Sequence, residues 1–271
     1  MTMLRRLSRT FSRKWTLRRD PVAARWEAFR VNTAIVPEAM TLVQSVPDSR
    51  LRDVTYLEQE LIPALGLNDE NLQEQPEELS QFFGRGLHIF QYPNQLARYM
   101  VWLAEQASDT RTYVEIGSRW GGTFILVCEW LRRIGAPLDG AIAIDPIGET
   151  PMLQMYGECL SREGIGFRFI KDSSTSPSVQ TLFRETQPDF VFIDGDHSMK
   201  GALADHILAR KSATIIVHHD IASDACPETT ALWNALRELE NGSFVPMEFI
   251  DQYPSVQGSY LGIGALKRRV E

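Results

Sequence analysis

From Thr112 onward, short apolar runs alternate with longer stretches of helical periodicity. Five runs stand out: TYVEIG (112–117), AIAIDP (141–146), FRFIKD (167–172), DFVFIDGD (189–196) and ATIIVHHD (213–220). They are near-continuous in apolar residues instead of alternating with polar ones, the pattern of a strand covered on both faces. Segments of 15 to 25 residues separate them, room for a crossover helix each time, so five parallel strands in β-α order are predicted. After a helix at about 228–240 come FVPMEFID (244–251) and SYLGIGALKR (259–268), joined by a Pro- and Gly-containing loop from Tyr253 to Gly258. These predict a closing antiparallel hairpin. The class is therefore α/β: a doubly wound, mostly parallel, seven-stranded sheet with an antiparallel C-terminal strand.

Residues 21–110 carry a different pattern. Helical periodicity runs through Val54–Leu65 and again through Leu96–Ala107, separated by a stretch containing Glu70, Glu74, Glu77 and Glu78. Three units are expected: a basic amphipathic arm (1–20), a helical N-terminal cap and lid (21–110), and the sheet domain (111–271).

A chain of 271 residues, 44% hydrophobic and 23% charged, excludes a fibre, a disordered chain and a mini-protein. No run reaches the roughly 18–20 apolar residues of a spanning helix. Cys128, Cys159 and Cys226 form no C-x-x-C pair and are odd in number, so a disulfide framework is not indicated and a reducing cytoplasm is the expected compartment. The net charge of -7 is unevenly distributed. Residues 1–19 hold seven basic groups (Arg5, Arg6, Arg9, Arg13, Lys14, Arg18, Arg19) and no acid, leaving 21 basic against 35 acidic side chains elsewhere. A body that acidic argues against nucleic acid as a partner, since phosphate backbones are held by Lys and Arg. Within the arm, Leu4, Leu7, Phe11 and Trp15 recur at helical spacing. That suits a helix on the anionic inner membrane surface, and a frayed terminus or a helix packed on a second subunit fits the same residues. Whether the chain forms a homo-oligomer stays open.

The candidate chemistry lies at the strand ends. The first strand runs into Glu115-Ile116-Gly117-Ser118-Arg119-Trp120-Gly121-Gly122-Thr123, a strand-to-helix turn whose glycines let a ligand approach the backbone and leave helix N–H groups free for an anion. On this reading a valine at Gly121 intrudes on the ligand and leaves the fold intact. The second strand ends in Asp145, placed to accept both hydroxyls of a ribose. The third gives Lys171-Asp172-Ser173-Ser174, polar groups suited to an adenine edge and equally to helix caps. The fourth and fifth end in Asp194-Gly195-Asp196-His197-Ser198 and His218-His219-Asp220. There Asp194 and Asp220 can share a hard divalent cation while His197 or Asp196 faces a substrate. His206 is expected to be structural, and Lys200 and Arg210 solvated.

The succession E-I-G-x-x-x-G-G-T, I-D-P, K-D-S-S, F-I-D-G-D-H-S and H-H-D resembles the class I S-adenosylmethionine-dependent O-methyltransferases, over about residues 84–268. The D-G-D-H-S end with an acidic tip one strand later resembles their metal-dependent branch, which includes macrolide and aminocoumarin sugar O-methyltransferases and the cephalosporin hydroxylase-like family. Gly84-Arg85-Gly86 and Gln91-Tyr92-Pro93 are similar to the lid of that branch. The resemblance implies a Rossmann-like fold and S-adenosylmethionine held by Glu115, Gly117, Ser118, Gly121, Gly122, Thr123, Asp145, Asp172, Ser173 and Asp194. It implies Mg2+ or Mn2+ on Asp194, His219 and Asp220, with His219 standing where relatives carry an acid and favouring a softer metal than magnesium. The acceptor implied is a hydroxyl of a sugar, a glycan or another small glycosylated product, and the base is His197, neutral near pH 7, with Asp196 in reserve. Two other readings compete: a mononuclear iron or zinc enzyme drawing on Asp194, His197, His218, His219 and Asp220, and a non-catalytic surface-attached scaffold.

Overall fold

The chain was analysed as a computed structural model, which describes residues 33–269; the basic arm falls outside the described residues. Seven strands make one sheet: β1 Thr112–Ile116, β2 Gly140–Ile144, β3 Gly166–Ile170, β4 Phe190–Ile193, β5 Ile215–His219, β6 Phe244–Phe249 and β7 Ile263–Arg268. Their order is β3-β2-β1-β4-β5-β7-β6. β1 to β5 are parallel, and β7 enters antiparallel between β5 and β6, as the closing hairpin predicts. The connection between β6 and β7 spans residues 250–262, longer than the predicted loop. β6 ends the sheet and carries Pro246 in its middle, a residue tolerated where only one side of a strand is paired.

The alternation of side chains explains why both layers form. Tyr113, Ala141, Ala143, Phe190, Phe192, Ile215, Val217 and Ala265 belong to one buried cluster, together with Leu96, Tyr99 and Leu103, Phe124 and Leu131, and Leu153 and Tyr156 from the helices Pro93–Gln106, Gly122–Arg133 and Pro151–Arg162. Their neighbours Val114, Ile142, Val191, Ile216 and Leu266 face the other way, toward Val179, Phe183, Leu208 and Trp233 of the helices Pro177–Thr186, Met199–Ala209 and Pro227–Leu239. A strand buried on both faces needs apolar residues at every position, which is what its sequence shows.

The preceding segment shares the first of these cores. Val36 and Val43 from the helix Ile35–Gln44, and Leu57, Leu61 and Leu65 from consecutive helical turns at Val54–Tyr56, Leu57–Leu61 and Ile62–Leu65, are buried in the same cluster. The middle of these turns is wound as a π-helix. The helix Pro93–Gln106, which periodicity places at 96–107, packs directly on the sheet: its Tyr99 ring lies edge-on to Phe192 and Phe249.

Register brings the site together. Ile116 is level with Ile144 and Ile193, Ile144 with Ile170, and Ile193 with His218. The loops after all five parallel strands therefore open at one edge. Because β2 and β4 flank β1, chain direction diverges there, which is where open α/β sheets leave a crevice.

Candidate functional site

A cavity of about 500 Å³ occupies that crevice. The residues assigned from the sequence to the methyltransferase site line it: Glu115, Gly117, Ser118, Gly121, Gly122 and Thr123 from the first turn, Asp145, Asp172 and Ser173 from the next two, and Asp194, Asp196, His197, His219 and Asp220 from the last two; Lys171 and His218 do not.

The glycine turn is shaped by its protein neighbours. Gly117 has φ +87, and a Cβ there would sit 1.9 Å from the Asp194 carbonyl oxygen, so this glycine lets β4 close on β1. Gly121 has φ +91, and its Cβ would lie 2.6 Å from Leu153 Cγ in the core. The expectation that a valine at 121 spares the fold is therefore incorrect: the side chain collides with packed leucine before it reaches a ligand. The helix Gly122–Arg133 starts with no side-chain cap, leaving first-turn N–H groups to an anion at the cavity. Ser118 Oγ, buried beside them, has no hydrogen-bond partner.

Asp145 is only 4% exposed and accepts hydrogen bonds from the Arg119 N–H at 2.7 Å and the Ile147 N–H at 2.8 Å. Each oxygen keeps a lone pair for a further donor. Asp172 is more committed, taking the Ser173 N–H at 2.8 Å and the Ser178 hydroxyl at 2.6 Å. Those hydrogen bonds, led by the one from Ser178, lower its pKa. Asp196 accepts the Ser198 N–H at 2.9 Å beside the N-terminus of the helix Met199–Ala209.

Glu115 is 2% exposed and accepts the Tyr113 hydroxyl at 2.5 Å. Burial pushes its carboxyl up to about 8 against the opposing effect of that hydrogen bond, with the Asp194 and Asp145 charges adding to the rise.

Four side chains converge at the ends of β4 and β5. His219 Nδ1 is 3.2 Å from Asp194 Oδ1 and 3.4 Å from Asp220 Oδ2, yet it makes no hydrogen bond. His197 Nε2 lies 3.1 Å and 3.3 Å from the same two oxygens. One atom each from Asp194, His219 and Asp220 lies within 4.8 Å of the others, close enough for a shared cation. Burial works against charge on Asp194, but the His219 and His197 imidazoles hold its carboxyl below the usual carboxylate range. The hydrogen bond that His197 donates to Asp194, with Cys226 and Asp220 contributing, pushes His197 up to about 10. An imidazole so held carries its proton at neutral pH, which corrects the expectation of a neutral acceptor.

Two buried amides fix His219. Gln95 Nε2 donates to the Asp251 carbonyl at 2.8 Å and Gln95 Oε1 accepts the Gly262 N–H at 3.0 Å, which sets that amide's orientation. Gln91 must then give its Nε2 to Gln95 Oε1, at 2.9 Å, and turn its Oε1 to His219 Nε2, also at 2.9 Å. A carbonyl oxygen only accepts, so Nε2 of His219 carries hydrogen and, in the neutral ring, Nδ1 presents a lone pair to the two carboxylates. Burial opposes charge on His219, yet the facing Asp194 and Asp220 carboxylates hold its pKa well above the ordinary value, so by themselves the residues pair as imidazolium and carboxylates; a cation on the two acids would take the place of the Nδ1 proton.

His218 lies on the other face of β5, as a residue adjacent to His219 in a strand must. Its Nε2 is 3.0 Å from Nδ1 of His206, which is buried and near Glu240. Burial lowers the pKa of both imidazoles. An iron or zinc site that uses both His218 and His219 is thus not formed. Arg210 is not simply solvated; it pairs with Glu240 at 2.5 Å.

Gln91, Gln95 and Cys226 were not assigned to the site by sequence reasoning. Cys226 Sγ is 3.4 Å from Asp220 Oδ2. Its place before the helix Pro227–Leu239, six residues beyond Asp220, is the signal available for it; Gln91 is marked only through the lid-like Gln91-Tyr92-Pro93 run and Gln95 not at all, since their partners lie far along the chain.

No family model matches the chain, and no curated protein does. Solved structures similar to it include the O-methyltransferase TomG from Streptomyces achromogenes, involved in tomaymycin synthesis and crystallised with S-adenosylmethionine: 14% identity over 83% of this chain and 100% of that one, TM-score 0.46. A putative rRNA-methylase from Clostridium thermocellum is 12% identical over 66% and 100%, TM-score 0.46. The cofactor-bound protein Rv0187 from MTB is 18% identical over 63% and 78%, TM-score 0.42. Among the described residues no helix is long and apolar enough to cross a membrane.

Proposed function

We propose that this protein is an S-adenosylmethionine-dependent, divalent-metal-dependent O-methyltransferase. The observation that carries the reading is that one cavity holds both halves of such a site: the glycine turn with Asp145 on one side, and Asp194, His219 and Asp220 on the other. The unpartnered Ser118 hydroxyl and the uncapped helix start fit a polar cofactor tail, and Asp145 fits its ribose. Two carboxylates and one imidazole fit Mn2+ or Mg2+. The acceptor class, a sugar hydroxyl or a glycosylated product, rests on the sequence resemblance.

Methyl transfer needs the acceptor oxygen in line with the sulfonium carbon more than it needs covalent help. The glycine turn and Asp145 position the donor side, while Asp194, His219 and Asp220 hold the acceptor side of the same cavity. As the C–O bond forms and the S–CH3 bond breaks, the electron pair returns to sulfur; His197 Nε2, freed of its own proton when a divalent cation neutralises Asp194 and Asp220, would take the hydroxyl proton. A divalent cation on its three ligands would supply positive charge that favours the alkoxide and disfavours a second charge on the neighbouring imidazole. Gln91 keeps the His219 ring in the ligating tautomer throughout.

The test is calorimetric binding with thermal unfolding. S-adenosylhomocysteine at 100 times its dissociation constant is expected to stabilise the protein by about 2.7 kcal/mol. Asp145→Ala is expected to weaken that binding roughly 10 to 100-fold, the loss of charge-assisted hydrogen bonds. Unchanged affinity in the variant removes Asp145 from the site. Methylation that survives EDTA refutes the metal half.

A further inference from the structure

The cavity contains a second set of donors, built from His197 and Asp220 together with Cys226, which the proposed reaction does not use. Asp220 Oδ2 faces His219 on one side and, on the other, His197 Nε2 at 3.3 Å and Cys226 Sγ at 3.4 Å. His197, Asp220 and Cys226 each offer one atom, and all three atoms lie within 4.8 Å of one another. They come from three separate pieces of chain: the turn after β4, the end of β5, and the residue before the helix Pro227–Leu239. Thiolate, imidazole and carboxylate form a softer set than the oxygen-rich trio beside them.

Two of the three edges match a tetrahedral site. With the Zn–N, Zn–O and Zn–S bond lengths of ordinary zinc sites, a tetrahedron has N···O edges of about 3.3 Å and S···O edges of about 3.5 Å. The observed edges are 3.3 and 3.4 Å. A fourth position would face the cavity that His197 and Cys226 line. The same Asp220 oxygen also faces His219 Nδ1 at 3.4 Å, so the two candidate sites share it.

We propose that His197, Asp220 and Cys226 form a distinct site for a thiophilic divalent ion of the zinc type, overlapping the proposed magnesium or manganese site through Asp220 Oδ2. Binding there releases the Cys226 thiol proton and the His197 Nε2 proton to solvent and occupies the lone pair so freed. The two sites compete for one oxygen, so zinc antagonises turnover. That consequence rests on the proposed role of His197; occupancy of the site does not.

The experiment uses Co2+ added to the full chain without cofactor or acceptor. Wild type is expected to show a near-ultraviolet thiolate-to-cobalt charge-transfer band, which Zn2+ displaces at far lower concentration than Mg2+ does. Cys159→Ser is expected to keep the band, and Cys226→Ser to lose it. In unmodified wild type, Zn2+ is expected to slow alkylation of Cys226 by iodoacetamide, read by peptide mass spectrometry, so the test does not depend on any variant folding. Cobalt bound without the band, a band that survives in Cys226→Ser, or alkylation indifferent to zinc each overturns the proposal. None of these readouts involves methyl transfer, so a failed methyltransferase reading leaves them standing, and metal-dependent methylation without the band sinks this inference alone.

Discussion

Replacing Glu115 with glutamine isolates one buried carboxyl at the centre of the sheet. In the folded protein, burial raises its pKa from 4.5 to about 8. The folded form thus holds a proton that the unfolded chain releases. The stability associated with that proton is fully present below about pH 4.5 and is lost as pH rises through about 8. At about 1.4 kcal/mol per unit, the shift corresponds to roughly 5 kcal/mol, with a limiting slope of about 1.4 kcal/mol per pH unit. Glu115→Gln keeps the shape and the Tyr113 contact but has nothing to titrate. Urea denaturation of parent and variant from about pH 5 to about pH 9 gives the difference directly, because every other titrating group cancels in the comparison. The variant's stability relative to the parent is expected to rise by a few kcal/mol across that range. Parallel curves refute the reasoning: they would mean that Glu115 ionises normally, with water or a cation reaching it.

Gln91→Leu removes the acceptor that fixes the His219 ring, and divalent metal affinity is expected to fall roughly 10 to 100-fold while S-adenosylhomocysteine affinity holds, both by calorimetry. Gly121→Val forces a β-branched residue into φ +91 against Leu153, and is expected to cost several kcal/mol in chemical denaturation; native-like stability would contradict the packing described. His197→Ala is expected to slow methyl transfer roughly 10² to 10⁴-fold in single-turnover assays with metal and cofactor binding retained. If His197→Ala reacts at the parent rate and Asp196→Ala is inactive, the proton goes to Asp196.

The strand tips were legible because chemistry and punctuation coincide there. Asp145, Asp194 and Asp220 each end an apolar run, and parallel register carries all three to one edge without further information. What their neighbours do was less legible. Gly117 reads as a ligand-facing glycine until β4 is seen to pass 1.9 Å from where its Cβ would be. His218 and His219 read as a pair, although alternation along a strand separates them onto opposite faces. Gln91 and Gln95 are neutral amides whose partners His219, Asp251 and Gly262 are distant in sequence, so no local pattern marks those contacts. The charge on His197 depends first on Asp194, three residues before it, and the folded turn is what shows that the two side chains meet.

Pro246 bears on behaviour in crowded or heated solution. β6 is the outer strand on its side of the sheet, with Val245 and Met247 partly exposed, and an open apolar border of that kind invites a strand from another molecule. The imide nitrogen at its midpoint has no hydrogen to give, so an arriving strand would find a missing rung at its centre. A strand arriving at this border would lose a hydrogen bond at its midpoint, while the pairing of β6 with β7 is left intact.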